Sequence, residues 1–145
     1  MAVKVLATGV FDLLHSEHKK FLQQAKKIGD IFIVGVEPDS RVQKMKGKGR
    51  PLQPQDIRMQ QLQSLPYVDK VLLLPEDFGE FEVRDAFLRK IKPDILAVSS
   101  HTPHQQQKQE LMEKHGGKLV IVHQHNPEVS TTKLLREENN SEKFS

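Results

Sequence analysis

Five short apolar runs, each set apart from the next by a longer stretch of different periodicity, constrain this chain more than any other feature. Val3 to Ala7, Ile31 to Val36, Val68 to Leu74, Ile95 to Val98 and Leu119 to Val122 are too short for buried helices and mostly rich in β-branched residues. Runs of that kind read as strands of a parallel sheet covered on both faces. Between them, Leu14, Phe21, Ala25 and Ile28 fall at helical spacing, as do Ile57, Leu62 and Leu65, and then Phe81, Phe87, Leu88 and Ile91. A glutamine-rich helix is expected from about Pro103 to His115, stopped by Gly116-Gly117. The segment from Glu37 to Pro54 reads as a loop, and Asp56 as the cap of the helix that follows it.

Strand, helix, strand in succession implies right-handed crossovers. The expected architecture is α/β, a Rossmann-like doubly wound five-stranded parallel sheet in the order 3-2-1-4-5, forming a single domain. Ligand then belongs at the carboxyl ends of strands 1 and 4, where the winding reverses. The turn at Gly9 and the polar loop Ser99 to His104 meet at that crevice.

At 145 residues the chain suits one domain, expected over residues 1–138, with a last helix opening near Ser130 and a polar tail over 139–145. No run of about 18 apolar residues exists and no signal-like segment opens the chain, so a cytoplasmic protein without membrane contact is expected. The absence of cysteine excludes disulfides, thiolate zinc sites and a cysteine nucleophile. A formal charge of +3, concentrated in a few places, suits phosphorylated small molecules as well as nucleic acid.

The stretch GVFDLLHSEHKKFLQQAKKIG puts a glycine turn between the first strand and the first helix, with His15 and His18 at the helix start over the strand's end. Unpartnered first-turn amides and the positive end of the helix dipole make that a place for phosphate. Val129-Ser130-Thr131-Thr132-Lys133 repeats the logic before the last helix, with hydroxyls, bare amides and a lysine. Lys44, Lys46, Lys48 and Arg50 crowd a segment with glycines at 47 and 49, which reads either as a solvated loop or as a closing lid. Arg58 projects from the first turn of the next helix. His101-x-x-His104 and His123-x-His125 lack an evident third ligand, so they are expected to line the crevice and no protein metal site is expected.

GVFDLLHSEH resembles the signature G-T-F-D-x-x-H-x-G-H of the cytidylyltransferase-like nucleotidyltransferases. VSTTKLL is similar to the family's I-S-T-T-K segment, and KMKGKGRP to the K-G-x-x-R-P loop of its sugar-phosphate branch. With Asp69 in PYVDKV, the likeness runs from Val3 to Leu135. It implies attack by an acceptor phosphate on the α-phosphorus of a nucleoside triphosphate, with pyrophosphate released. The carried-over catalytic residues are His15, His18 and Lys46. The nucleotide falls to Gly9, Val10, Phe11, Asp12, His15, His18, His125, Ser130, Thr131 and Thr132, and the acceptor to Asp39, Lys44 and Arg58. Mg²⁺ held mainly by the triphosphate is implied, as is a homodimer.

KGKGRP and EKHGGKLVIV look most like the heptose-phosphate adenylyltransferase branch, which favours ATP and a phosphorylated sugar or polyol. Glycerol-3-phosphate cytidylyltransferase and the archaeal-type FAD synthase are the alternatives. The sequence departs from the family at Val10, at Glu17 where glycine is usual, at Ser99 to His101, and at His125 where an arginine is usual. Those departures would also suit a catalytically degenerate nucleotide-binding module. A nucleic-acid-binding protein is a third reading, disfavoured by one tyrosine and no tryptophan for stacking. A carboxylate about 4 Å from a phosphate costs roughly 4 kcal/mol at an effective dielectric of 20. Glu17 must therefore point away or hold magnesium, and if its charge is merely tolerated, replacing it with glycine is expected to raise turnover.

Overall fold

A computed structural model describes residues 2–124. The element order is β1 (Lys4–Gly9), α1 (Ser16–Lys27), β2 (Ile31–Val36), α2 (Asp39–Lys46), α3 (Gln55–Gln63), β3 (Lys70–Leu73), α4 (Phe81–Ile91), β4 (Ile95–Ser99), α5 (Gln105–Lys114) and β5 (Lys118–His123). All pairings are parallel and the sheet order is β3-β2-β1-β4-β5, as the alternation of strands and helices requires. The expected last helix from Ser130 and the polar tail lie outside the described residues. Among the described residues no helix is long and apolar enough to cross a membrane.

Each central strand feeds two cores, because successive side chains leave opposite faces. Val5 and Ala7 of β1, with Phe32, Val34 and Val36 of β2, pack on Leu22 and Ala25 of α1 and Leu62 of α3. Leu6, Ile33, Leu96 and Val98 face the other way, against Leu88 of α4 and Leu111 and Met112 of α5. The continuous apolar runs follow from this, since neither face of the sheet's centre meets water. Asp69 then ties the first layer's edge: its Oδ2 accepts from the Phe32 amide at 2.7 Å and from Lys26 Nζ at 2.7 Å.

Three expectations are corrected. The segment 37–54 is not all loop, for it holds α2, whose entry is set by Pro38 at φ −68° and whose exit is Gly47 at φ 96°. Only Val42 of that helix is buried, so no apolar stripe announces it in the sequence. The second correction concerns the start of α3: its N-cap is Pro54, and Asp56 makes no capping hydrogen bond. Third, α3 is turned so that Ile57 is 40% exposed and Arg58 is fully buried, the reverse of an outward-projecting arginine. Its start is fixed by polar contacts of Arg58, and those outweigh the apolar stripe at Ile57.

Candidate active site

β1 ends at Gly9, and the chain must then turn sharply to start α1. A Cβ at Gly9 would lie 3.0 Å from the Phe11 ring, so glycine makes room for Phe11 to fold back over the strand's end. Phe11 and Leu13 sit at φ 53° and 52°, left-handed conformations that cost non-glycine residues about 1 kcal/mol or more each. Neighbouring elements hold the turn in place. Asp12, 2% exposed, accepts from the amides of Leu52 at 2.8 Å and Gln53 at 3.0 Å. The Leu13 amide donates to Gln53 Oε1 at 3.1 Å. Arg58 Nη1 donates to the Val10 carbonyl at 2.8 Å, while its Nε reaches the Gln53 carbonyl at 3.0 Å and its Nη2 reaches Asp39 Oδ1 at 2.7 Å.

His15 is the N-cap of α1, and the two histidines cap the helix reciprocally. The His18 amide donates to His15 Nδ1 at 3.4 Å and the His15 amide to His18 Nδ1 at 3.3 Å. An Nδ1 that accepts carries no proton, so each neutral ring keeps its proton on Nε2 and presents an N–H donor there. The rings stack at 3.7 Å and 16°, and the Phe11 ring meets His18 edge-on at 5.6 Å. Burial first, then His15 and Lys46, push the His18 pKa down to about 3, with Asp12 opposing. Burial also lowers His15, against the pull of Glu17. Both imidazoles are therefore neutral donors at physiological pH.

Lys46, in the last turn of α2, is exposed over much of its surface. Desolvation of its ammonium, then Arg50, hold it below the ordinary lysine value, and Asp12 opposes them. His18, Lys46 and Asp12 thus feel one another across three separate segments of chain. Arg50 adds an Nε to Asp12 Oδ2 contact at 3.6 Å. Lys44 stands on the same helix end and is exposed. Asp39 opens α2 beside Arg58, with 42% of its side chain exposed.

Glu17 points toward the far edge of the sheet, where its Oε2 pairs with His123 Nε2 at the end of β5 and its Oε1 lies 3.8 Å from Lys20 Nζ. Reading the sequence left Gln53 and the Glu17–His123 pair unassigned. The spacing of 106 residues between that pair's members offers no local signal. Ser99 ends β4, His101 is exposed in the loop after it, and His104 is the N-cap of α5. His125, Ser130, Thr131 and Thr132 lie outside the described residues.

A histidine-capped helix mouth at the reversal point of a doubly wound sheet, beside a lysine that makes no hydrogen bond among the described residues, is suited to binding a phosphate group. The chain belongs to the cytidylyltransferase-like family, whose pattern matches residues 6–138. It is 33% identical over 134 residues to the bifunctional protein HldE of Desulfatibacillum aliphaticivorans, covering 92% of this chain and 26% of that protein. It is 45% identical over 92 residues to the bifunctional protein HldE of Nitratiruptor sp., covering 63% of this chain and 19% of that one. The chain thus spans about a quarter or less of these curated relatives. A lipopolysaccharide core biosynthesis protein from Thermoplasma volcanium superposes with a TM-score of 0.70 at 28% identity, covering 87% of this chain and 98% of that one.

Proposed function

We propose that this domain transfers a nucleoside monophosphate, AMP by preference, from a nucleoside triphosphate to a phosphorylated sugar or polyol. A phosphate oxygen of the acceptor attacks the α-phosphorus, a new P–O–P linkage forms, the bond from the α-phosphorus to the α–β bridging oxygen breaks, and pyrophosphate leaves with that electron pair. No covalent enzyme intermediate is needed, so the protein's task is positioning and charge stabilisation. The observation that carries the reading is the reciprocal capping of His15 and His18. It fixes both tautomers and leaves two neutral Nε2–H donors at a helix N-terminus.

In this reading His15 and His18 donate to oxygens on which charge grows, and Lys46 bridges the reacting phosphates. Gly9, Val10, Phe11 and Asp12 shape the turn under the nucleotide, and Arg58 with Asp39 keeps the Val10 carbonyl in place. Lys44 meets the acceptor from the rim. His125 and the hydroxyls of Ser130, Thr131 and Thr132, proposed from the sequence, hold the β- and γ-phosphates.

Magnesium bound to the phosphate oxygens would neutralise part of their charge. The donor set suits a phosphate-held cation, since Asp12 is engaged by two amides and Glu17 by His123. A sugar-phosphate acceptor draws support from the name of this chain's own neighbour in structure, a lipopolysaccharide core biosynthesis protein. Pyrophosphate release, followed across ATP, CTP and a panel of sugar and polyol phosphates, tests the proposal. ATP with a sugar phosphate should give the highest rate. Nucleotide binding by calorimetry with no product from any acceptor would leave a binding module instead.

A further inference from the structure

A second group of basic side chains gathers at the same edge of the sheet, on the first turns of α2, α4 and α5. Glu37 directly follows β2 and is 8% exposed, and its Oε2 meets Arg41 Nε at 2.6 Å. The Arg41 guanidinium lies against the backbone after β3: a Cβ at Gly79 would stand 2.6 Å from Arg41 Nη1. Arg84, in α4, donates through Nε to the Phe78 carbonyl at 2.8 Å, with its guanidinium 5.7 Å from the Phe78 ring centre. Lys108, in α5, donates to Thr102 Oγ1 in the loop after β4 at 2.8 Å.

Arg41 and Arg84 therefore meet at the Phe78–Gly79 backbone beside the Glu37 carboxylate, Lys108 bears on the same carboxylate electrostatically, and all four side chains are at least half-buried. Among the described residues the Nη nitrogens of Arg41 and Arg84 have no hydrogen-bond acceptor, so both forks keep donors to spare. The groups feel one another strongly. Burial, then Arg84, hold Lys108 at about 8 with Glu37 opposing. Arg84 is lowered by burial and by Arg41, and Glu37 is raised by burial against the pull of all three cations. Collecting surplus positive charge in a desolvated place is unfavourable unless an anion completes it. Its side chains differ from those of the histidine mouth, although the Glu37 amide donates to the Gly9 carbonyl at 2.9 Å and so joins the two at the sheet edge.

We propose that Arg41, Arg84, Lys108 and Thr102 form a second oxyanion site, which takes a phosphate or carboxylate group of the acceptor other than the phosphate that attacks. The assignment to the acceptor rests on the transferase reading. Its position supports it: the four groups come from the carboxyl ends of β2, β3 and β4, the edge where open α/β sheets bind ligands. Guanidinium forks plus an ammonium suit a tetrahedral or planar oxyanion and would hold a neutral sugar hydroxyl weakly.

The test is binding of inorganic phosphate, followed by NMR shifts of the Thr102 and Arg84 signals with no nucleotide present. In a His18→Ala, Lys46→Met variant, which disables the histidine mouth, these shifts should keep their phosphate affinity. Arg84→Gln and Lys108→Met should each weaken it about tenfold or more, as loss of a charge-assisted contact does. Glu37→Gln, which removes the competing carboxylate, should tighten binding severalfold, a gain that misfolding cannot mimic. Unchanged phosphate affinity in Arg84→Gln and Lys108→Met, or no gain in Glu37→Gln, would overturn the site. Pyrophosphate release is assayed separately on the unaltered chain, so failure of the transferase reading shows there and leaves the phosphate result standing.

Discussion

Arg58 and Lys46 both lie beside the turn that follows β1, yet they differ in almost every physical respect. Arg58 has no exposed surface and gives Nε, Nη1 and Nη2 to Gln53, Val10 and Asp39. Lys46 hangs from the end of a helix with one buried residue and makes no hydrogen bond among the described residues. The difference separates a frame from a reagent. A rigid fork with its donors matched to fixed acceptors holds two left-handed residues in place, while an uncommitted ammonium on a flexible stem can follow phosphates as they move.

The largest expected effect tests the frame. Arg58→Met leaves the Val10 and Gln53 carbonyls without their donor and Asp39 without its cation, and breaking a buried pair costs about 3–5 kcal/mol. Because Asp39 is partly exposed and can rehydrate, the loss should fall near the lower end, about 3 kcal/mol, read from urea denaturation. The reagent gives the converse. Lys46→Met should change stability by no more than about 0.5 kcal/mol. It should nevertheless cut kcat about 100-fold, the size of effect seen when one donor to developing charge is removed. Equal destabilisation by the two substitutions would erase the distinction.

That distinction explains which parts of the molecule could be read from the sequence. The strand order and the turn at Gly9 were legible because they rest on apolar runs and a glycine, signals carried by neighbours in the chain. The histidine pair was legible for the same reason, since reciprocal capping joins residues three apart. Arg58 was misjudged because its acceptors lie up to 48 residues away, and an arginine in a first helical turn looks the same whether its partners are water or carbonyls. The helix α2 went unseen because one buried valine makes no period. The Arg41, Arg84 and Lys108 group was invisible because it joins three helices that meet only once the sheet is wound.

A pH profile sharpens the contrast at intermediate size. The His18 pKa falls from 6.5 in the unfolded chain to about 3 in the fold, so across that window the unfolded state binds more protons. The stability that neutral His18 contributes is whole above 6.5 and is lost as pH falls toward 3. By about pH 5 the loss should reach roughly 2 kcal/mol, and His18→Gln should flatten that part of the curve. Lys46→Met should leave the acid slope in place, since removing a nearby cation raises the His18 pKa only in part. An equally steep slope in His18→Gln would show that His18 is not the group responsible.

The smallest effect concerns Glu17, which belongs to neither class. Its carboxylate is taken up by His123 across the sheet, yet it stays near enough to His15 to oppose the lowering of that ring's pKa. Glycine at this position would confound two changes, because it also costs a helix about 1 kcal/mol. Glu17→Gln removes the charge and keeps a side chain able to meet His123. Only 11% of the Glu17 side chain and 18% of the His123 side chain is exposed, so glutamine exchanges a charged hydrogen bond for a neutral one in a largely buried place, and stability should fall by about 1 kcal/mol. Turnover should rise about two- to fivefold, well short of what the roughly 4 kcal/mol of unscreened repulsion would allow, because pairing with His123 already offsets much of the charge. A lower rate would mean that the carboxylate supports His15 through the field it exerts, and Glu17 would then be a positioning residue acting through that ring.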